Sequence, residues 1–203
     1  TPEALEAAIT PRTRWFILNS PCNPTGAAYS RERLAALAKV LIKYPQVLIM
    51  TDDIYEHIRF DGEKTPHILN LEPALRDRTV VINGVSKTYA MTGWRIGYAA
   101  GPKDIIGALD MLQSQSTSNP SSVSQAAALA ALKMPLDFLS DWVQTYRQRR
   151  DRGLELINAI PGLSCRTPGG AFYLYVNCAG LIGKKTPQGT VIASDMDVVM
   201  YLL

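Results

Sequence analysis

The most constraining feature of this sequence is a set of short apolar runs, separated by helical patterns, within its first hundred residues. These runs lie at 15–18, 47–50, 79–82 and 95–100. Continuous apolar strands joined by helices are typical of a sheet that is covered on both faces. The pattern therefore predicts a three-layer α/β/α sandwich.

The segment between the first two runs carries a clear helix signal. Ser30 suits a helix N-cap, and Pro45 marks the end of the helix. Between them, apolar residues recur at helical spacing: Leu34, Leu37, Ala38 and Leu41. We expect an amphipathic helix here, packed on the sheet.

The character of the chain changes after residue 101. Helices are expected at 103–116, 121–133 and about 137–159, followed by two short strands within 162–176. We place a domain boundary inside the 137–159 helix. Residues 1–145 are then a large domain without its N-terminal part, and residues 146–203 are the start of a small α+β domain.

Both ends of the chain suggest a piece of a longer protein. The sequence begins with Thr1 rather than Met, and it stops at Leu203 within a predicted helix that starts near Asp195. We therefore expect further sequence on either side.

Composition argues against several classes of partner. Lys and Arg number 21 and Asp and Glu 18, so the net charge of +3 indicates neither nucleic acid nor an acidic membrane surface. No apolar run is long enough to span a membrane. The three cysteines, Cys22, Cys165 and Cys178, lie far apart, which favours neither a disulfide scaffold nor a metal site. A reduced cytoplasmic setting is the expectation.

Polar residues follow three of the predicted strands. Asn23 comes after the first strand, Asp52 after the second and Lys87 soon after the third. Ligands of α/β sheets bind near the carboxyl ends of the strands. The three side chains are therefore expected to converge on one site.

Lys87 is the candidate nucleophile. A lysine amine in a partly buried loop between two apolar strands is able to attack a carbonyl group, although a surface loop lysine has the same local sequence. Arg95, eight positions later, offers a guanidinium suited to phosphate, or alternatively an ordinary ion pair at a strand start. Ser86 offers a hydroxyl to the same phosphate, or simply forms the turn.

Asp52 and Tyr55 form a second candidate group. A carboxylate is able to hold a proton on a ring nitrogen, and a phenol is able to donate to a ring oxygen. The alternatives are a helix N-cap for Asp52 and packing for Tyr55. Asp53 is the other candidate for the ring-nitrogen contact. We prefer Asp52 because it lies three residues before Tyr55. Asn23, in the turn that continues through Gly26, presents an amide to a phenolic oxygen or a carboxylate, unless it serves the turn alone.

Together these motifs resemble the class I/II (fold type I) aminotransferases, which use pyridoxal 5'-phosphate. The order is Asn-Pro-x-Gly at 23–26, Asp-x-x-Tyr at 52–55, and Ser-Lys at 86–87 with an arginine eight residues after the lysine. The string at 91–98 is similar to that of the bacterial Ib-type aspartate aminotransferases, some of which also act on prephenate. The segment at 178–187 resembles the alphaproteobacterial members. The resemblance covers essentially the whole chain.

The resemblance implies a role for each candidate residue. Lys87 would carry the cofactor as a Schiff base and move the substrate proton. Asp52 would pair with the pyridine nitrogen, and Tyr55 and Asn23 with the phenolic oxygen. Asn23 would also touch the substrate carboxylate.

The phosphate would be bound by Arg95 and Ser86. The segment at 170–173 resembles one whose aromatic residue lies near the substrate, with core packing of Phe172 as the alternative. Gly84 departs from members that have serine or threonine three residues before the lysine.

The resemblance also implies the reaction and its setting. An amino acid, expected to be aspartate, and a 2-oxo acid, expected to be 2-oxoglutarate, would exchange an amino group by ping-pong kinetics in a homodimer. Two alternatives stay open: another fold type I enzyme, such as a prephenate aminotransferase or a C–S lyase, and a non-catalytic ligand-sensing domain. The piece itself is expected to hold only part of a site.

Overall fold

The computed structural model describes all residues, 1–203, and its centre is a four-stranded sheet with the order β1-β2-β3-β4. The strands are β1 Trp15–Asn19, β2 Leu48–Asp52, β3 Thr79–Gly84 and β4 Gly97–Ala100. The first three are parallel, whereas β4 runs antiparallel to β3. The mixed α/β class predicted from the sequence is confirmed.

The structure has seven α-helices, five of which the sequence pattern predicts. They are α1 Pro2–Ala8, α2 Arg31–Ile42, α3 Ile68–Leu71, α4 Lys103–Ser116, α5 Ser122–Leu132, α6 Leu139–Asn158 and α7 Asp195–Leu202. Short 3-10 helices occupy Pro73–Arg78, Thr92–Trp94 and Ala179–Leu181. A second, antiparallel sheet pairs β5 Ser164–Cys165 with β6 Val176–Asn177. No helix of the chain is both long and apolar enough to cross a membrane.

The main core lies between the sheet and α2. Ser30 caps α2, because its hydroxyl accepts the backbone N–H of Arg33 at 3.3 Å. The helix then buries the apolar face expected from its spacing, and the buried cluster comprises Leu18, Leu34, Leu37, Ala38, Leu41, Val47, Ile49, Ile68 and Leu75. Each large side chain buried in this way contributes roughly 2 kcal/mol. This core holds β1 and β2 in the register that brings their carboxyl ends together.

The strand β4 starts two residues later than expected. Arg95 has a left-handed backbone, with φ 55° and ψ 46°, and it ends the preceding 3-10 turn. A left-handed residue cannot continue an extended strand, so pairing with β3 begins at Gly97. The antiparallel direction then takes the chain away from the carboxyl ends of β1–β3.

A backbone clamp attaches residues 168–171 to the first part of the chain. The N–H groups of Gly169 and Gly170 donate to the carbonyl of Gly26 at 2.8 and 3.0 Å. Ala171 N–H donates to the Ile58 carbonyl at 2.8 Å, and Phe60 N–H donates to the Gly169 carbonyl at 3.0 Å. These bonds bring the residues that follow α6 onto the ends of the sheet. The boundary at 145/146 stays a prediction.

Candidate active site

The turn after β1 is joined to the end of β2. Asn19 is in register with Asp52, and its side-chain amide donates to the Asp52 backbone carbonyl at 3.0 Å. The Asn19 side-chain oxygen accepts the backbone N–H of Asn23 at 2.6 Å. The chain therefore places Asn23 beside the end of the neighbouring strand, as its position after β1 predicts.

Lys87 lies in a single helical turn directly after β3. The turn is closed by hydrogen bonds from Tyr89 N–H to the Val85 carbonyl and from Ala90 N–H to the Lys87 carbonyl, both 3.3 Å. The Lys87 Nζ lies 5.4 Å from the centre of the Phe172 ring and 5.8 Å from that of Tyr55. Such distances favour a cation–π contact, which keeps the half-buried amine against an apolar wall.

Tyr55 is the buried centre of the cluster, with 2% of its surface exposed. Its hydroxyl is hydrogen-bonded to that of Tyr173. Burial raises the pKa of Tyr55 above its usual value, helped by Tyr173 and the negative charge of Asp52, while a hydrogen bond with Asn23 acts in the opposite direction. The structure thus brings Asn23, Asp52, Tyr55 and Lys87 together around one space.

The two adjacent aspartates have different partners. Asp53 is buried, accepts the Thr51 hydroxyl at 3.0 Å and pairs with His67 Nε2 at 3.1 Å. Asp52 accepts the backbone N–H of Ile54 at 3.3 Å and pairs with no basic side chain. Asp52 is therefore the carboxylate left to serve a ligand, which favours it over Asp53.

Arg95 and Ser86 stand apart from these contacts. Arg95 is exposed, and its guanidinium donates to the Thr92 carbonyl at 3.0 Å. The half-buried Ser86 comes directly before Lys87 in the chain. The structure records no hydrogen bond from either side chain to Lys87, Asp52, Tyr55 or Asn23, so the expected phosphate roles stay predictions.

Three further residues surround the site without having been singled out from the sequence. Tyr173 bonds Tyr55, Tyr146 stacks on Phe172 at 5.4 Å, and His67 holds Asp53. The similarity of residues 170–173 to a substrate-facing segment was a signal for the Tyr173 position. Tyr146 lies on an amphipathic helix, and His67 caps a four-residue helix, so neither carries a local signature.

Phe172 forms part of the site wall. Its surface is 38% exposed, and its ring faces Lys87 and Tyr55. A side chain packed only in the core would be covered more completely. The geometry therefore favours a position beside a ligand over the alternative of core packing.

The chain is similar in sequence to a family of known proteins. Residues 1–202 match the family described as aminotransferase class I and II. The chain is 55% identical over 203 residues to an aspartate aminotransferase of Rhizobium meliloti, covering 100% of this chain and 50% of that protein. It is equally 55% identical to an aspartate/prephenate aminotransferase of Cereibacter sphaeroides, of which it covers 51%.

Solved structures show the same likeness. The crystal structure of the aspartate aminotransferase from Rhizobium meliloti matches with a TM-score of 0.95 and 54% identity, over 100% of this chain and 51% of that chain. An aspartate aminotransferase from Thermus thermophilus with maleate matches with a TM-score of 0.76 and 41% identity, over 87% of this chain and 45% of that chain. The chain spans about half the length of the curated relatives it matches.

Proposed function

Because this chain belongs to the class I and II aminotransferases, we propose that it forms the lysine-bearing part of a pyridoxal-phosphate-dependent aspartate aminotransferase. The observation that carries the proposal is the convergence of Lys87, Asp52, Tyr55 and Asn23 at the ends of β1, β2 and β3.

The groups present fit pyridoxal phosphate. The ligand needs an amine for its aldehyde, a carboxylate for its ring nitrogen and donors for its phenolic oxygen. Lys87, Asp52 and the pair of Tyr55 and Asn23 supply these three kinds of group. The separate engagement of Asp53 by His67 supports the choice of Asp52.

Each residue has a distinct task in the proposed reaction. Bound pyridoxal phosphate supplies an electron-withdrawing ring that stabilises negative charge at the substrate Cα. The Lys87 Nζ would hold the cofactor covalently and, when free, would accept the proton of the substrate Cα and return it during amino-group transfer. Asp52 would keep a proton on the pyridine nitrogen, which would preserve the ring's demand for electrons.

The other side chains bind and exclude water. Tyr55 and Asn23 would bind the phenolic oxygen, and Asn23 would also reach the substrate α-carboxylate. Arg95 and the Ser86 hydroxyl would bind the phosphate. The rings of Phe172 and Tyr146 exclude water from one side of Lys87, which strengthens electrostatic interactions there.

Aspartate and 2-oxoglutarate are the proposed substrates, and prephenate is a second candidate acceptor. The Cereibacter sphaeroides relative is named an aspartate/prephenate aminotransferase, which favours this alternative. We further propose a cytoplasmic homodimer with a large domain at 1–145 and the start of a small domain at 146–203. The three free cysteines support a reduced compartment, and the exposed apolar residues support a subunit interface.

Covalent capture tests the central assignment. The chain is incubated with pyridoxal phosphate, reduced with borohydride, digested and analysed by mass spectrometry. We expect the modification on Lys87 and its loss, with the visible absorption band, in Lys87→Ala. Lys133→Ala is the matched control, because Lys133 is an exposed lysine at the end of α5. Equal labelling of Lys87→Ala and Lys133→Ala would contradict the assignment.

Activity is measured separately by mixing aspartate with 2-oxoglutarate or with prephenate and following oxaloacetate. A higher kcat/KM with prephenate than with 2-oxoglutarate would identify prephenate as the preferred acceptor. Turnover that persists in Lys87→Ala would contradict the proposed role of the lysine.

A further inference from the structure

The segment after α6 contributes a hydroxyl that lies directly on the site. The Tyr173 hydroxyl is hydrogen-bonded to the hydroxyl of Tyr55, 118 positions earlier in the chain. The two rings also meet edge to face, with centroids 5.7 Å apart. None of the roles proposed above uses the Tyr173 hydroxyl.

The backbone that leads to Tyr173 is hydrogen-bonded to distant parts of the chain. The clamp at 168–171 bonds the preceding residues to Gly26, Ile58 and Phe60. Ala171, within the clamp, is fully buried. Tyr173 follows two residues later, so the clamp fixes the backbone from which its side chain reaches Tyr55.

Each phenol has one proton, so only one of the two hydroxyls donates in the bond between them. Either hydroxyl is able to be the donor in this bond. Burial of Tyr55, its bond with Tyr173 and the negative charge of Asp52 raise the pKa of Tyr55.

We propose that Tyr173 is a positioning residue, whose hydroxyl is bonded to that of Tyr55 and thereby holds the Tyr55 hydroxyl oriented beside Lys87. The inference rests on the proposed function, in that it assigns Tyr55 to the site, but its test needs no turnover. The charged and titratable groups that face Tyr55 are Asp52, Lys87 and Tyr173 itself.

Tyrosinate absorbance across an alkaline titration tests the proposal. The chain has nine tyrosines, so the signal of Tyr55 is obtained as a difference between matched proteins. Subtracting the titration curve of Tyr55→Phe from that of the wild type gives the curve of Tyr55 in the presence of Tyr173. Subtracting the curve of the double variant Tyr55→Phe/Tyr173→Phe from that of Tyr173→Phe gives the curve of Tyr55 without the Tyr173 hydroxyl.

We expect Tyr55 to ionise at lower pH when Tyr173 is phenylalanine. Tyr175→Phe is the control, because this tyrosine is two positions away, is 62% exposed and loses the same atom. An unchanged Tyr55 titration in Tyr173→Phe, or an equal shift in Tyr175→Phe, would overturn the proposal. Should Tyr173→Phe not fold, Tyr173→Met and its double variant with Tyr55→Phe give the same difference for Tyr55.

A second readout connects the pair to the cofactor. After pyridoxal phosphate is added, the pH midpoint of its visible band is compared in wild type, Tyr173→Phe and Tyr175→Phe. We expect the midpoint to move in Tyr173→Phe alone. If the wild type shows no visible band, the proposed function is rejected, and the tyrosinate titration still decides the inference about Tyr173. If the band has the same pH midpoint in all three proteins, the link from Tyr173 to the cofactor is rejected.

Discussion

Asp52 and Asp53 occupy adjacent positions at the end of β2, yet they serve different purposes. Successive side chains of an extended segment point to opposite faces. Asp53 consequently turns toward His67 and Thr51, while Asp52 stays on the side of Tyr55. The alternation explains how one aspartate is available to a ligand while its neighbour stabilises the strand end.

The Asp53–His67 pair predicts a pH effect. Its hydrogen bond with Asp53 raises the pKa of His67 above 6.5, against the opposing effect of burial. We expect Asp53→Asn to lower the pKa of His67, as measured from imidazole proton NMR shifts. The only other histidine, His57, pairs with Glu56 and serves as an internal control.

The sign of the stability effect follows from the same shift. A histidine whose pKa is raised by folding stabilises the folded state below its unfolded pKa, and this contribution is lost as the pH rises through the folded value. The wild type should therefore have a higher free energy of unfolding than Asp53→Asn, and the difference should be largest at mildly acidic pH. A difference that grows toward alkaline pH would contradict this account.

At the level of elements, the close approach of the clamp to the turn after β1 requires glycine. Gly26 has a φ of +65°, and a Cβ atom placed on it would lie 2.4 Å from the Cβ of Pro168. A side chain at Gly26 would therefore separate residues 168–170 from the turn that carries Asn23. The same glycine thus serves both the turn and the attachment of the segment that bears Phe172 and Tyr173.

Gly26→Ala is predicted to destabilise the chain and to loosen this attachment. Gly62→Ala is the matched control, because Gly62 also has a positive φ, +79°, but has no atom within 4 Å of the added Cβ. The backbone strain is common to both variants, so their difference isolates the clash. We expect Gly26→Ala to lose about 1–3 kcal/mol more in urea unfolding. If the two variants lose equal free energy of unfolding, the contact with Pro168 does not destabilise Gly26→Ala.

At the scale of the whole molecule, much apolar surface stays uncovered. The accessible surface is 13,023 Å², whereas a compact protein of 22.3 kDa exposes roughly 9,400 Å². The helix α4 buries none of its residues, and Leu112 is 64% exposed; on β1, Ile17 is 63% exposed. Exposed apolar patches of this kind commonly mark interfaces.

This surface predicts that the chain associates with itself, in line with the proposed homodimer. We expect the sedimentation coefficient to rise with protein concentration, and Leu112→Lys to weaken that rise. Gln115→Lys adds the same charge to an exposed polar position of the same helix. Equal effects of the two variants would attribute the change to charge rather than to the apolar side chain.

Local features of the sequence determined the elements and the chemical identity of the candidate site. The Ser30 cap and the helical spacing after it predicted α2, because capping and periodicity act within a few residues. The apolar runs predicted the central strands, with ends that shifted by one or two residues. The positions after the predicted strands and the order of the motifs identified Lys87, Asp52, Tyr55 and Asn23 as candidates, although their roles stay proposals.

Only the tertiary structure decided which residues from distant parts of the chain surround that site. The antiparallel direction of β4, the pairing of Asp53 with His67 and the bond between Tyr55 and Tyr173 have no local signature. Such contacts form between segments that are far apart in the chain, and they depend on how packed elements bring those segments together. The sequence therefore named the reactive groups, while the fold selected the partners that orient them.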